Sequence, residues 1–87
     1  MIVFVQMQVP QGGSKNAQVE VEADTTVAVF RDLVGERFDV GPNSFRILWK
    51  GLQLADASKT LAECEVGKED TLRIVLLPEA SRLYWKD

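Results

Sequence analysis

Cys64 stands in the stretch "LAECEVGKED", with Glu63 and Glu65 on either side of it and Glu69 and Asp70 a few residues on. A thiol among carboxylates has the residue types of a nucleophile or a metal site. Neither chemistry fits the spacing. Neighbouring negative charge disfavours the thiolate, which is the reactive form. The acids lack the pattern of a calcium loop with its central glycine. They read as a solvated loop, and Cys64 reads as a thiol packed on a core. The chain has no histidine, which removes the commonest general base, the commonest metal ligand and the usual partner of a Ser or Cys nucleophile. "GGSK", from Gly12 to Lys15, has glycines and a lysine as a phosphate loop does, but it lacks the full spacing and leads into no helix. These residues predict a protein that is not an enzyme and holds no metal or cofactor.

The chemistry left is that of surfaces, and the whole chain bounds it. A chain of 87 residues makes one domain with one core. A formal net charge of −3 argues against nucleic acid as the main partner, because phosphate binding needs a basic surface. No apolar run approaches the ~20 residues that cross a bilayer. The opening "MIVFVQMQV" lacks a basic leader and a small-residue cleavage site. One cysteine allows no internal disulfide, which suits a reducing compartment. The expectation is a monomer of the cytoplasm or nucleus, without a membrane role.

The elements that must position any surface follow from periodicity. "MIVFVQMQV" has strand composition, with Met1, Val3, Val5 and Met7 on one face and Ile2, Phe4, Gln6 and Gln8 on the other. "PQGGSKN" predicts a loop, and "AQVEVEA" a second strand with Ala17, Val19 and Val21 inward. In "DTTVAVFRDLVGERF" the period changes. Val27, Phe30 and Val34 form a helical stripe, Asp24, Thr25 or Thr26 can cap it, and Arg31, Asp32, Glu36 and Arg37 fall on the wet side. Gly35 predicts a weak point in the helix, and Gly41–Pro42 a breaker after it. "FRILWKG" predicts a strand with Phe45, Ile47 and Trp49 on one face and Arg46, Leu48 and Lys50 on the other. Gly51 predicts a turn, "LQL" a short return strand, "DASKTLAECEV" a loop with one helical turn anchored by Leu61 and Val66, and "DTLRIVLL" a last strand. The expected class is α+β, a mixed sheet packed on one helix in two layers.

Several of these stretches carry a resemblance. "MIVFV", the "VEVEADTTV" junction of strand and helix, "FRILWKGLQLAD" and "KTLAECEVGKEDTLRIVLL", at this spacing, resemble the ubiquitin-like family from Met1 to about Leu77. As a set they are specific, although each alone is weak. The resemblance implies a β-grasp fold, in agreement with the two-layer reading. It also implies a domain over residues 1–78, leaving 79–87 as an extension or the start of a linker. The chain departs from ubiquitin in a longer first hairpin loop, an extra residue near Ala57–Lys59 and sparse lysines. Leu52 occupies the place of the best-known chain-linking lysine, whereas Lys68 matches another.

The fourth departure is the tail. Conjugation in this family needs a flexible Gly-Gly terminus. Here the last strand runs into "PEASRLYWKD", and no glycine follows Gly67. The expectation is a domain that is not conjugated, with nothing before Met1; Leu83, Tyr84 and Trp85 are expected either to fold back or meet a partner, or to be disordered as the start of a linker.

The resemblance places partner docking on the outer face of the sheet. The matched positions are Leu48 and Val75, with Arg46 and Arg73 beside them. The strand phases point the same way: Leu48 is out of phase with Ile47 and Trp49, and Val75 with Ile74 and Leu76. Lys50 and Leu52 are expected to extend this surface, with Gln8–Val9 at its edge. Outward apolars rimmed by arginines suit an amphipathic helix with acidic flanks. The resemblance implies partners carrying ubiquitin-interacting helices, or proteasomal receptors. Rival readings are a scaffold domain in a splicing, tubulin-folding or chaperone factor, and a modifier whose Gly-Gly lies beyond residue 87.

Overall fold

A computed structural model describes residues 1–8, 13–41 and 43–77 of the chain. The elements run β1 (Ile2–Gln8), β2 (Ser14–Glu20), α1 (Val27–Phe38), β3 (Phe45–Trp49), β4 (Leu52–Gln53) and β5 (Thr71–Leu76). They form one sheet in the order β2-β1-β5-β3-β4. β1 and β5 pair in parallel at its centre, and the remaining pairs are antiparallel. This is the mixed sheet on one helix that the periodicities predicted.

The core forms where the two periods meet. Val3, Val5, Met7, Leu72, Ile74, Phe45 and Ile47 alternate inward along their strands and are buried. The stripe Val27, Phe30, Val34 and Phe38 comes down on them from α1. Phe30, Met7, Ile47 and Ile74 are fully enclosed. At the N-terminus, the Met1 ammonium donates to the Val21 carbonyl at 2.6 Å and to Glu20 Oε2 at 3.0 Å, closing the first hairpin.

Two local expectations are corrected, the start of β2 and the exposure of Arg31. β2 starts at Ser14, so "SKN" belongs to the strand and not the loop. The ladder Gln8↔Ser14, Met7↔Lys15 and Gln6↔Asn16 forms because backbone pairing with β1 satisfies polar residues as well as apolar ones. The helix runs through Gly35, which is buried, to Phe38; packing of Val34 and Phe38 on the sheet outweighs the ~1 kcal/mol propensity cost of that glycine. It ends before Gly41–Pro42. Asp39 takes the left-handed conformation (φ 58°), and the Val40 N–H bonds the Gly35 carbonyl at 2.9 Å, a helix stop that usually uses glycine. Arg31 is half-buried, not on the wet side, and its guanidinium donates to the Leu54 carbonyl at 3.2 Å. One guanidinium nitrogen thus finds an acceptor, while the buried Nε has no hydrogen-bond partner.

Thr26 is the helix cap, its Oγ1 accepting from the Val29 N–H. Thr25 works outside the helix, accepting from the Glu22 N–H at 2.9 Å. The segment after β4 returns through a turn at 61–65 anchored by buried Leu61 and Val66. The expected fold-back of Leu83–Trp85, like the place of Val9, lies outside the described residues.

Candidate functional site

The acids around Cys64 hold the turn together. The Glu63 carboxylate accepts from the Thr60 N–H at 2.9 Å, and the Thr60 hydroxyl accepts from the Glu63 N–H at 3.1 Å. This is the reciprocal pair that a Thr-x-x-Glu spacing signals. Asp70 accepts from the Gly67 N–H at 2.7 Å. Cys64 is half-buried and packs against the core, and its carbonyl accepts from Trp49 Nε1 at 3.1 Å. Asp56 accepts from the hydroxyl and the N–H of Ser58, which together hold its carboxyl below the ordinary carboxylate range, the hydroxyl bond being the larger cause.

The outer face of the sheet is built by register. Residues opposite each other on neighbouring strands share a face. Leu48 is opposite Arg73, and Arg46 is opposite Val75. Arg73 is in turn opposite Gln6 on β1, and Thr71 is opposite Phe4. Leu48 and Val75 are therefore diagonal neighbours, each beside an exposed arginine. Both are half-buried, as is Phe4. The strands that direct Ile47 and Ile74 into the core point Leu48 and Val75 away from it, so the core itself enforces this face.

The structure brings four of the six candidate residues together: Arg46, Leu48, Arg73 and Val75. Lys50 lies in the turn beyond them, with its ammonium 5.2 Å from the centre of the Trp49 ring. Leu52 is placed apart. Lys50 and Gly51 both have positive φ, 53° and 81°, which makes a tight hairpin turn of the type that matches strand twist. That turn sets Leu52 opposite Trp49 and Gln53 opposite Leu48. Leu52 therefore shares the side of Trp49, and both line a hollow with Cys64. Phe4 lies one row from Arg73 on the outer face and was not singled out from sequence, although its phase with Gln6 was the signal.

The family model of the ubiquitin family matches residues 3–79. The chain belongs to the ubiquitin family. Its sheet order and single helix are those of a ubiquitin-like β-grasp, α+β fold. Among curated relatives, it is similar to ubiquitin-like protein 4A of Esox lucius, 37% identical over 68 residues. It is also similar to ubiquitin-like protein 4A-B of Salmo salar at 35% and to ubiquitin-like protein 4A of Danio rerio at 32%. Each match takes in 78% of this chain but only 43–44% of the relative. The chain thus spans less than half the length of these relatives.

Proposed function

We propose that this ubiquitin-like domain is a non-catalytic, non-conjugated interaction module. Its outer sheet face docks proteins that carry ubiquitin-interacting helices, or proteasomal receptors. The observation that carries this reading is the pairing of Leu48 with Arg73 and of Val75 with Arg46. Two outward apolars flanked by two guanidiniums make a patch that takes the apolar stripe of a helix, while carboxylates beside that stripe meet the arginines. The patch is small, so binding is weak and transient. Lys50, whose ammonium lies over the Trp49 ring, stands outside this rim. Sheet residues around the patch, Gln6 and Gln53, supply hydrogen bonds at its edge.

Among the described residues, the one thiol, Cys64, is half-buried and packed on the core, which favours the non-catalytic reading. The domain is expected to act as a monomer in the cytoplasm or nucleus.

The test is chemical-shift mapping of the chain with a synthetic ubiquitin-interacting helix. The expected result is perturbation at Arg46, Leu48, Arg73 and Val75. Perturbation confined to α1 or to the first hairpin loop would overturn the reading.

A further inference from the structure

The outer face carries two cations that the chain does not neutralise itself. Arg46 and Arg73 are exposed, and among the described residues neither has an ion-pair partner. Carboxylates are not scarce, since the chain has 13 acids against 10 bases. They are kept off this surface. The outward positions around the two arginines are Phe4, Gln6 and Gln8 on β1, Thr71 on β5 and Gln53 on β4. Glu20, on the same side of β2, lies at the far edge opposite Ile2, and its carboxylate accepts from the Met1 ammonium at 3.0 Å. Exposed guanidiniums without local carboxylates set the sign of what covers them: the partner brings the acids.

The register also sets where those acids stand. Arg46 is opposite Val75, and Leu48 is opposite Arg73 one row on. The four side chains make a block of two strands by two rows, with the apolar pair on one diagonal and the arginines on the other. Diagonal neighbours on a sheet are about 7–8 Å apart. Two helix positions at i and i+4 are about 6 Å apart along the axis. A helix that seats such an apolar pair on Leu48 and Val75 therefore lies along their diagonal, obliquely across β3 and β5. Arg46 then stands on one side of its axis and Arg73 on the other. A carboxylate on one flank meets one arginine and has the body of the helix between it and the other.

We propose that the outer face selects helices with a carboxylate on each flank of the apolar stripe, one for Arg46 and one for Arg73, over helices with the same acids gathered on one flank. This rests on the docking role proposed for the face, and adds to it the axis and the charge pattern of the partner. At 3.6 residues per turn, positions i+1 and i+3 fall on opposite sides of a stripe made by i and i+4, each about 80° from its centre. Positions i+1 and i+5 fall on the same side. An apolar–acid–x–acid–apolar run is thus a short sequence that meets the pattern.

The test is an NMR titration of the isotope-labelled full chain with two synthetic helices of identical composition. Each has leucines at i and i+4, two glutamates, and alanine elsewhere. The same hydrocarbon staple on the face away from the leucines holds both helical. One has its glutamates at i+1 and i+3, the other at i+1 and i+5. The expected result is movement of Leu48 and Val75 with both, and about fivefold tighter binding of the first, the upper range for one exposed ion pair. In the Arg46→Glu chain the preference changes. A helix with lysine at i+1 and glutamate at i+3 then binds tighter than either, and tighter than its own same-flank isomer. Equal affinity of the two glutamate helices, with Leu48 and Val75 moving, overturns the proposal and leaves the docking face standing. Tighter binding of the same-flank helix does the same, as does an Arg46→Glu chain that fails to prefer the lysine helix. No movement at Arg46, Leu48, Arg73 or Val75 with either helix at millimolar concentration overturns the docking role itself, and the charge pattern with it.

Discussion

Leu48 and Arg73 are cross-strand partners on the outer face of the sheet, while their chain neighbours Ile47 and Ile74 pair on the buried face. A one-residue slip between β3 and β5 would exchange those roles, so the same burial that holds the core also holds the docking face in register. Side chains on the outer face are therefore separable from stability in a way that their neighbours are not.

Arg73→Glu is expected to leave folding free energy within about 0.5 kcal/mol of the parent, because the side chain is exposed and crosses no core contact. It is expected to abolish binding of an acid-flanked helix. Arg73→Gln should weaken it and flatten its salt dependence, since one charge leaves the rim. Titration calorimetry at two ionic strengths, together with a denaturant melt, reads both quantities. An unchanged affinity in Arg73→Glu removes the outer face as the docking site.

Phe30→Ala is expected to cost about 3–5 kcal/mol, the range for emptying an enclosed aromatic site. Phe30 has no exposed surface, and it is the largest fully buried side chain among the described residues. A domain of this size has on the order of 5–10 kcal/mol in total, so the variant is expected to be largely unfolded at moderate denaturant. Val29, the adjacent helix residue, is 50% exposed, and Val29→Ala is expected to change stability by no more than about 0.5 kcal/mol. A urea melt of the two variants checks the orientation of α1.

Both of those sites were legible in the sequence, because alternation and helical spacing report which residues face a core. Phe30 follows from its spacing to Val27 and Val34, and Leu48 from its phase against Ile47. What was not legible depends on contacts between distant segments. Arg31 stands four residues after Val27 and three before Val34, so its phase borders the buried stripe; its charge alone suggests water, and the Leu54 carbonyl gives its head an acceptor there. Leu52 follows Leu48 by an even number of positions, which suggests a shared face, but the Lys50–Gly51 turn reverses the chain between them and pairs Leu52 with Trp49. Ser14–Asn16 carry no apolar pattern, so their membership of β2 rests on backbone pairing alone. The Thr60–Glu63 reciprocal cap is readable from its Thr-x-x-Glu spacing.

Ser58→Ala is expected to raise the pKa of Asp56 toward its ordinary value. The Ser58 hydroxyl bond at 2.7 Å is the main cause of the depression, and the Ser58 N–H at 3.1 Å, which remains, is the second. The sign follows from which form is bonded. The ionised carboxylate accepts both bonds, so the folded pKa lies below the unfolded one. The stabilising contribution is present above the unfolded pKa and is lost as pH falls through the folded one. The variant is thus expected to lose that contribution at neutral pH, with a difference from the parent that shrinks in acid. Carboxyl-carbon NMR titration of Asp56 in the two chains reads the shift directly.

Gly51→Ala tests the turn that sets Leu52 apart from the outer face. A Cβ built at Gly51 meets nothing within 4 Å, so the substitution causes no clash. Its φ of 81° lies where an L side chain is strained against its own backbone, and the expected cost is about 1–2 kcal/mol from that strain alone. If β4 remains paired, Leu52 stays opposite Trp49 and amide shifts change only from Trp49 to Gln53. If the strain is relieved by opening the turn, the Leu48↔Gln53 and Trp49↔Leu52 pairs loosen together. Amide exchange then quickens at Gln53 and Leu54, whereas Arg46, held by β5 through Val75, keeps its protection. Either result leaves the outer face in place. Loss of protection at Arg46 as well would show that β4 and its turn are needed to hold β3 against β5, and that the outer face depends on them.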